Sequence, residues 1–308
     1  MNFLALLLGL GIERLLTHLF HLREFRWLDP LFDWSLLKLS RTSRWVASAG
    51  IIAVVLLSLL PVILISQLLF GTLADIPYFL FAVAVLLFCL GPRDLLDEGN
   101  DFCNAIELDD TARARSIARE LIEVKREEGD EFTGLDDAIY VQANNRIFAV
   151  VFWFVLLGPL GAWLFRVVDL LRHRAAWQLV KLRHETTQKV TAEPISGASQ
   201  TIFYLHGLLA WAPSRLLLFG YMLAGSFDGG LQSLRNYFAA TGGGLFQLQV
   251  EVLGWVGQGA SGFVRPEATE SFDQTARRAG AAVDLVRRTL WLIWCPVLAI
   301  LTLYDWLV

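Results

Sequence analysis

The chain has 308 residues, 55% of them hydrophobic and 18% charged, with a mean hydropathy of +0.51. This exceeds the apolar share of water-soluble domains and implies that lipid is the solvent for much of the chain. A net charge of −4 excludes the basic field that nucleic acid attracts, and three scattered cysteines without a CxxC exclude a disulfide framework or a zinc site of that kind.

Residues 1–92 read as membrane helices. The first apolar run is interrupted by Glu13 and Arg14, and it lacks an early basic residue and a small-x-small cleavage site, so it is expected to be retained. An ionisable group at membrane depth costs about 3 kcal/mol on insertion scales. Glu13 and Arg14 are therefore expected either to line a polar site or to be tied up, by an interhelical ion pair or by snorkelling of Arg14 to the interface. His18 and His21, three apart without a carboxylate cluster, give only a weak metal signal. The basic loop around Arg23–Arg44 is expected inside by the positive-inside rule. Residues 45–70 are uncharged and form the clearest span, with Pro61 tolerated as a kink. A short run from Tyr78 to Leu90 returns across the bilayer.

Residues 93–146 are polar and charged, with Ile117, Leu121 and Val124 at helical spacing, and they predict a water-exposed, cytoplasmic helical segment. Asp94, Asp97, Glu98 and Asp101 could hold Mg²⁺, although acids also belong at a helix start, where they complement the dipole. Residues 147–225 hold two apolar stretches interrupted at Gly158-Pro159-Leu160-Gly161 and at Ala212-Pro213, which predict kinked or broken membrane helices. Arg166 and Arg215 stand just after these two breaks. They fit a polar pocket that takes an anionic ligand, or equally a structural role in which a guanidinium satisfies a carbonyl freed by proline. Residues 226–288 predict a Gly-rich flexible loop followed by an amphipathic helix, and 289–308 a final span with aromatic residues toward its ends. No GxxxxGK[ST], GxSxG or HExxH occurs. The fold class expected is an all-α, polytopic integral membrane protein.

Taken together, Ile12-Glu13-Arg14-Leu15-Leu16, Phe152-Trp153 before Gly158-Pro159, Phe165-Arg166, and Trp211-x-Pro213-x-Arg215-Leu216 resemble the AmpE family of inner-membrane regulatory signalling modulators. That family is in turn similar to the CobD/CbiB membrane enzymes, which form an amide bond in cobalamin synthesis; Glu13-Arg14, Ala114-Arg115 and Trp211-x-Pro213-x-Arg215 carry the similarity. The enzymes' Glu-Asn pair and later Asp give way to Tyr140-Val141-Gln142-Ala143-Asn144-Asn145-Arg146, with Asp137 the one acid near a matching place, and their His-Pro-Ser-Pro-Asn segment is replaced by Ser226-Phe227-Asp228-Gly229-Gly230. The resemblance implies a multi-pass protein of the bacterial inner membrane that modulates the response to β-lactams and cell-wall damage and has lost most catalytic acids. Its implied pocket comprises Glu13, Arg14, Arg166 and Arg215, and its implied partner is a protein of the cell-wall recycling or β-lactamase induction pathway; the lipid bilayer is expected as a partner from composition, and a second copy in a homodimer from the several apolar faces that a broken-helix unit has to cover. The alternatives are an amide-forming enzyme using Mg²⁺ through acids such as Asp94, Asp97 and Asp137, and a transporter of cell-wall fragments, for which no internal repeat is visible.

Overall fold

In lipid an exposed peptide group has no water to bond, so each segment must close its own hydrogen bonds, and the local solution is helix. The computed structural model describes residues 29–39, 42–69, 76–90, 95–122, 134–185, 197–242, 244, 248–263 and 272–297, and it has no strand among them. In chain order the helices are α1 (Asp29–Leu39), α2 (Arg44–Leu69), α3 (Ile76–Cys89), α4 (Leu95–Glu107), α5 (Thr111–Ile122), α6 (Leu135–Gln142), α7 (Ala149–Leu157), α8 (Pro159–Glu185), α9 (Gly197–Ala224), α10 (Phe227–Thr241), α11 (Val252–Ala260) and α12 (Phe272–Arg288). Two wider π-helical stretches, Ala143–Phe148 and Thr289–Trp294, continue α6 and α12. Among the described residues, Arg44–Leu69, Leu135–Leu157 and Gly197–Ala224 are long and apolar enough to cross a membrane, and Ile76–Cys89 is a shorter apolar helix.

The chain divides into two units, each discontinuous in sequence: 1–92 with 149–209, and 93–148 with 210–308. In the first, α8 is the hub and touches α1, α2, α3 and α7. Helix α2 buries Ile51, Val54, Val55, Leu59 and Val62 at helical spacing and leaves Leu56, Leu57, Leu60, Leu64 and Leu68 exposed, a face that suits hydrocarbon rather than water. Gly158 is left-handed at φ 67, ends α7, and is followed by Pro159 at the first position of α8, where a missing N–H costs nothing. The expected break at Gly-Pro-Leu-Gly is therefore a helix-to-helix turn.

The second expected break is absent. Helix α9 runs unbroken through Pro213. Proline cannot donate to the carbonyl four residues back, which is that of Leu209, and the indole Nε1–H of Trp153 donates to it instead at 2.9 Å. At the Leu209 carbonyl the donor is thus an indole rather than a guanidinium. Trp163 donates to the Ser58 carbonyl of α2 at 2.9 Å, in the turn before Pro61 but one residue on from the carbonyl that Pro61 cannot reach.

In the second unit α6 is the hub, touching α4, α5, α11 and α12. Its core includes Leu95, Phe102, Leu121, Leu135, Ile139, Tyr140, Tyr221, Leu253, Val256 and Val283. The region expected to be a Gly-rich loop instead contains α10 and α11. Ser226 caps α10 by accepting the Gly229 N–H at 3.2 Å, and the glycines of α11 form a contact face. A Cβ on Gly257 would stand 2.5 Å from the Tyr140 ring, and one on Gly259 would run into the Gly229 backbone carbonyl. Glycine here serves close helix approach, which composition alone cannot distinguish from loop.

Trp153→Phe removes the only described donor to the Leu209 carbonyl and is expected to destabilise the protein by about 1–3 kcal/mol. In the Pro213→Ala background, where the substituted residue supplies the missing backbone N–H, the same change at Trp153 is expected to cost far less. A double-mutant cycle of thermal unfolding in detergent checks this, and additive costs would contradict the assignment.

Candidate functional site

Helix α8 carries an acid in an apolar run, and local spacing surrounds it with cations. Asp169 has Arg166 three residues before it, Arg172 three after and His173 four after, all on one face. Its carboxylate is sealed from water, at 0% exposure. Oδ1 accepts from Arg172 Nε at 3.3 Å and Nη2 at 3.2 Å, and Oδ2 accepts from Arg166 Nη1 at 3.4 Å. His206 Nε2 of α9 lies 3.3 Å from Oδ1, and His173 Nε2 lies 3.5 Å from Oδ2. His206 is itself buried, its ring 5.7 Å from that of Phe165. A turn further along, Arg174 forms a two-pronged pair with Asp33 of α1, Nε to Oδ1 at 2.6 Å and Nη2 to Oδ2 at 2.5 Å.

A buried charge must be compensated, and around Asp169 two guanidiniums converge on a single carboxylate. The cluster gathers two guanidiniums and two imidazoles on this one carboxylate, and Arg166, Arg172 and His173 make further contacts besides. It presents paired arginine forks of the kind that bind carboxylate or phosphate.

The second unit has a polar cluster of different character. Asp136 Oδ2 accepts from Arg278 Nε at 3.0 Å and Nη2 at 2.8 Å. Gln258 Nε2 bridges Asp136 at 3.0 Å and Asp137 at 2.7 Å. Here Asp136 is matched by one arginine, and the cluster ties α6, α11 and α12 together. Glu98 and Arg146 form another matched pair at 2.8 Å, with Arg146 also donating to Gln142 at 3.2 Å.

Of the residues expected to form a pocket, Arg166 sits in the Asp169 cluster of the first unit. Arg215 is a half-buried residue of α9 in the second unit, close enough to act on Tyr237 of α10. Burial raises the Tyr237 hydroxyl above the usual phenol range, Glu251 raises it further, and the Arg215 guanidinium pulls it back. Glu13 and Arg14 lie outside the described residues, as does Asp94. Asp97 is exposed on α4, and Asp137 is engaged by Gln258. Among the described residues no group of three or more His, Cys, Asp or Glu side chains could hold a metal ion.

Sequence reasoning missed Asp169, although its signal was present as an acid within an apolar run with arginines at both i−3 and i+3. His206 gave no such signal, because its relation to Asp169 arises only when α9 packs beside α8.

A family model described as regulatory signalling modulator protein AmpE matches residues 1–308. This chain belongs to the AmpE family. A regulatory role for a membrane protein follows from that membership. No curated protein matches the chain, and no solved structure matches it.

Asp169→Ala leaves buried guanidiniums without their carboxylate and is expected to cost about 3–5 kcal/mol; thermal unfolding in detergent measures it, and a wild-type melting temperature would contradict the cluster. Cys103 of α4 donates to the Ala276 carbonyl at 3.5 Å, and burial, with Glu107 and Asp284 nearby, raises its thiol above the usual range. Since the thiolate is the reactive form, modification of Cys103 by a polar maleimide is expected to be slow near neutral pH and to accelerate only at pH above that of a free cysteine. Mass spectrometry of the labelled Cys103 peptide measures the rate.

Proposed function

We propose that the chain is a multi-pass protein of the bacterial inner membrane that modulates the response to β-lactams and cell-wall damage. It is a non-catalytic relative of an amide-forming membrane enzyme, and it acts by binding an anionic ligand at the Arg166–Asp169–Arg172 cluster. The observation that carries this reading is the gathering of Arg166, Arg172, His173 and His206 on the fully buried Asp169. Family membership supports the regulatory part of the reading, and the three apolar helices support its membrane setting.

A ligand held by arginine forks inside an apolar helix bundle could shift the equilibrium between two packings of α8 and α9, provided that it binds one packing better than the other. His206 of α9 and Asp169 of α8 would be the link, because a ligand that competes for the arginines loosens their hold on Asp169.

The test is induction of a chromosomal β-lactamase in a strain deleted for this gene and complemented with variants at matched membrane abundance. The wild type is expected to restore induction. Arg166→Gln, which keeps a hydrogen-bonding side chain and loses the charge, is expected to lower it at least about tenfold, the effect of losing one charged contact of about 1.4 kcal/mol. A deletion strain that induces normally would refute the regulatory reading, and an Arg166→Gln variant with full induction would refute the site.

A further inference from the structure

We infer that the two π-helical turns of the second unit form a binding site for a neutral amide group, made by Asn144, Asn145 and Trp294. Asn144 and Asn145 lie in the first π turn, Ala143–Phe148, and both are fully buried. Asn144 Nδ2 donates to Asn145 Oδ1 at 3.1 Å. That bond engages two of the pair's four polar atoms, leaving Asn144 Oδ1 and Asn145 Nδ2 without a hydrogen-bond partner. Rotating both carboxamides by half a turn exchanges the atoms but not the outcome, since one donor and one acceptor are still left over.

The second π turn, Thr289–Trp294, meets the first through its last residue. The Trp294 ring lies 4.5 Å, centroid to centroid, from that of Phe148, the last residue of the first π turn. Its buried Nε1–H also lacks a partner. A Cβ on Gly220 of α9 would stand 3.0 Å from that nitrogen and 2.8 Å from Thr289 Cγ2, so α9 packs closely on this side of the ring. Several other buried polar side chains of the unit have partners: Asp136 with Arg278, Glu98 with Arg146, and the Tyr221 hydroxyl with the Tyr140 carbonyl at 3.0 Å. Unmet hydrogen-bonding groups are thus concentrated where two π turns touch, and π turns inside α-helices frequently mark functional sites.

The inventory of free groups selects the ligand. Two donors and one acceptor match an amide, whose carbonyl can accept from Asn145 Nδ2 and Trp294 Nε1 while its N–H donates to Asn144 Oδ1. A carboxylate or phosphate has no proton for the Asn144 oxygen and would bring an uncompensated charge into a buried apolar core. The site is therefore of a different kind from the arginine cluster of the first unit, and neither depends on the other.

The experiment uses the full chain in lipid nanodiscs with N-methylacetamide as probe and methyl acetate, of the same shape but lacking the N–H, as control. Saturation-transfer NMR is expected to show a signal for the amide several-fold above that for the ester. Asn144→Leu/Asn145→Leu is expected to abolish the difference, and Trp294→Phe, which keeps the ring and removes one donor, to reduce it. Arg166→Gln is expected to leave it unchanged, which separates this site from the arginine cluster. Equal signals for amide and ester in the wild type would overturn the inference, as expected if the asparagines serve only water. An undiminished amide signal in both the leucine and the phenylalanine variants would overturn it as well.

Discussion

The structure depends on the cost of sealing charge away from water. In each unit the hub helix carries a buried aspartate, Asp169 on α8 and Asp136 on α6, and each forces neighbouring helices to supply a compensating side chain. For Asp136 the answer comes from α12 and α11, through Arg278 and Gln258. For Asp169 much of the answer lies on α8 itself, through Arg166, Arg172 and His173, with His206 contributed by α9. Leaving either carboxylate bare would be strongly destabilising, so these pairs restrict how the helices can sit around their hubs. Nonpolar packing alone discriminates poorly between helix rotations, because most faces of such apolar helices resemble one another.

Backbone polarity imposes the same discipline on a smaller scale. Proline in a long apolar helix frees a carbonyl, and here an indole N–H takes it up where Trp153 reaches Leu209; Trp163 reaches Ser58, one residue on from the position four before Pro61. This explains why α9 continues through Pro213 rather than breaking there. It also shows why tryptophan can be useful inside a helix bundle, since the ring packs as an apolar body while its single donor answers one carbonyl.

Much of this was legible in the sequence. The apolar runs gave the helical class, the Gly158-Pro159 step gave the turn between α7 and α8, and Ile12–Leu16 and Trp211–Leu216 gave the resemblance that the family match bears out. What was not legible arose from contacts between distant segments. The glycines of 229–259 look like loop residues until α10 and α11 are seen pressed together, and Trp153 looks like a membrane-interface residue until Leu209 lies beside it. Arg166 could be singled out from its place after a helix break, but its carboxylate partner was overlooked because attention fell on the breaks rather than on the acid three residues later. Asn144 and Asn145 were read only as departures from an enzyme pattern, since a π turn has no clear signature in sequence.

The central claim is that the charges around Asp169 serve a ligand as well as the fold, and a charge swap separates the two. Arg166→Asp combined with Asp169→Arg keeps an ion pair on α8 but moves the carboxylate away from His206. At matched membrane abundance the account predicts that the double variant recovers much of the thermal stability lost by Arg166→Asp alone, yet fails to support β-lactamase induction. Recovery of induction together with stability would mean that any buried pair at these positions suffices, and would contradict the account.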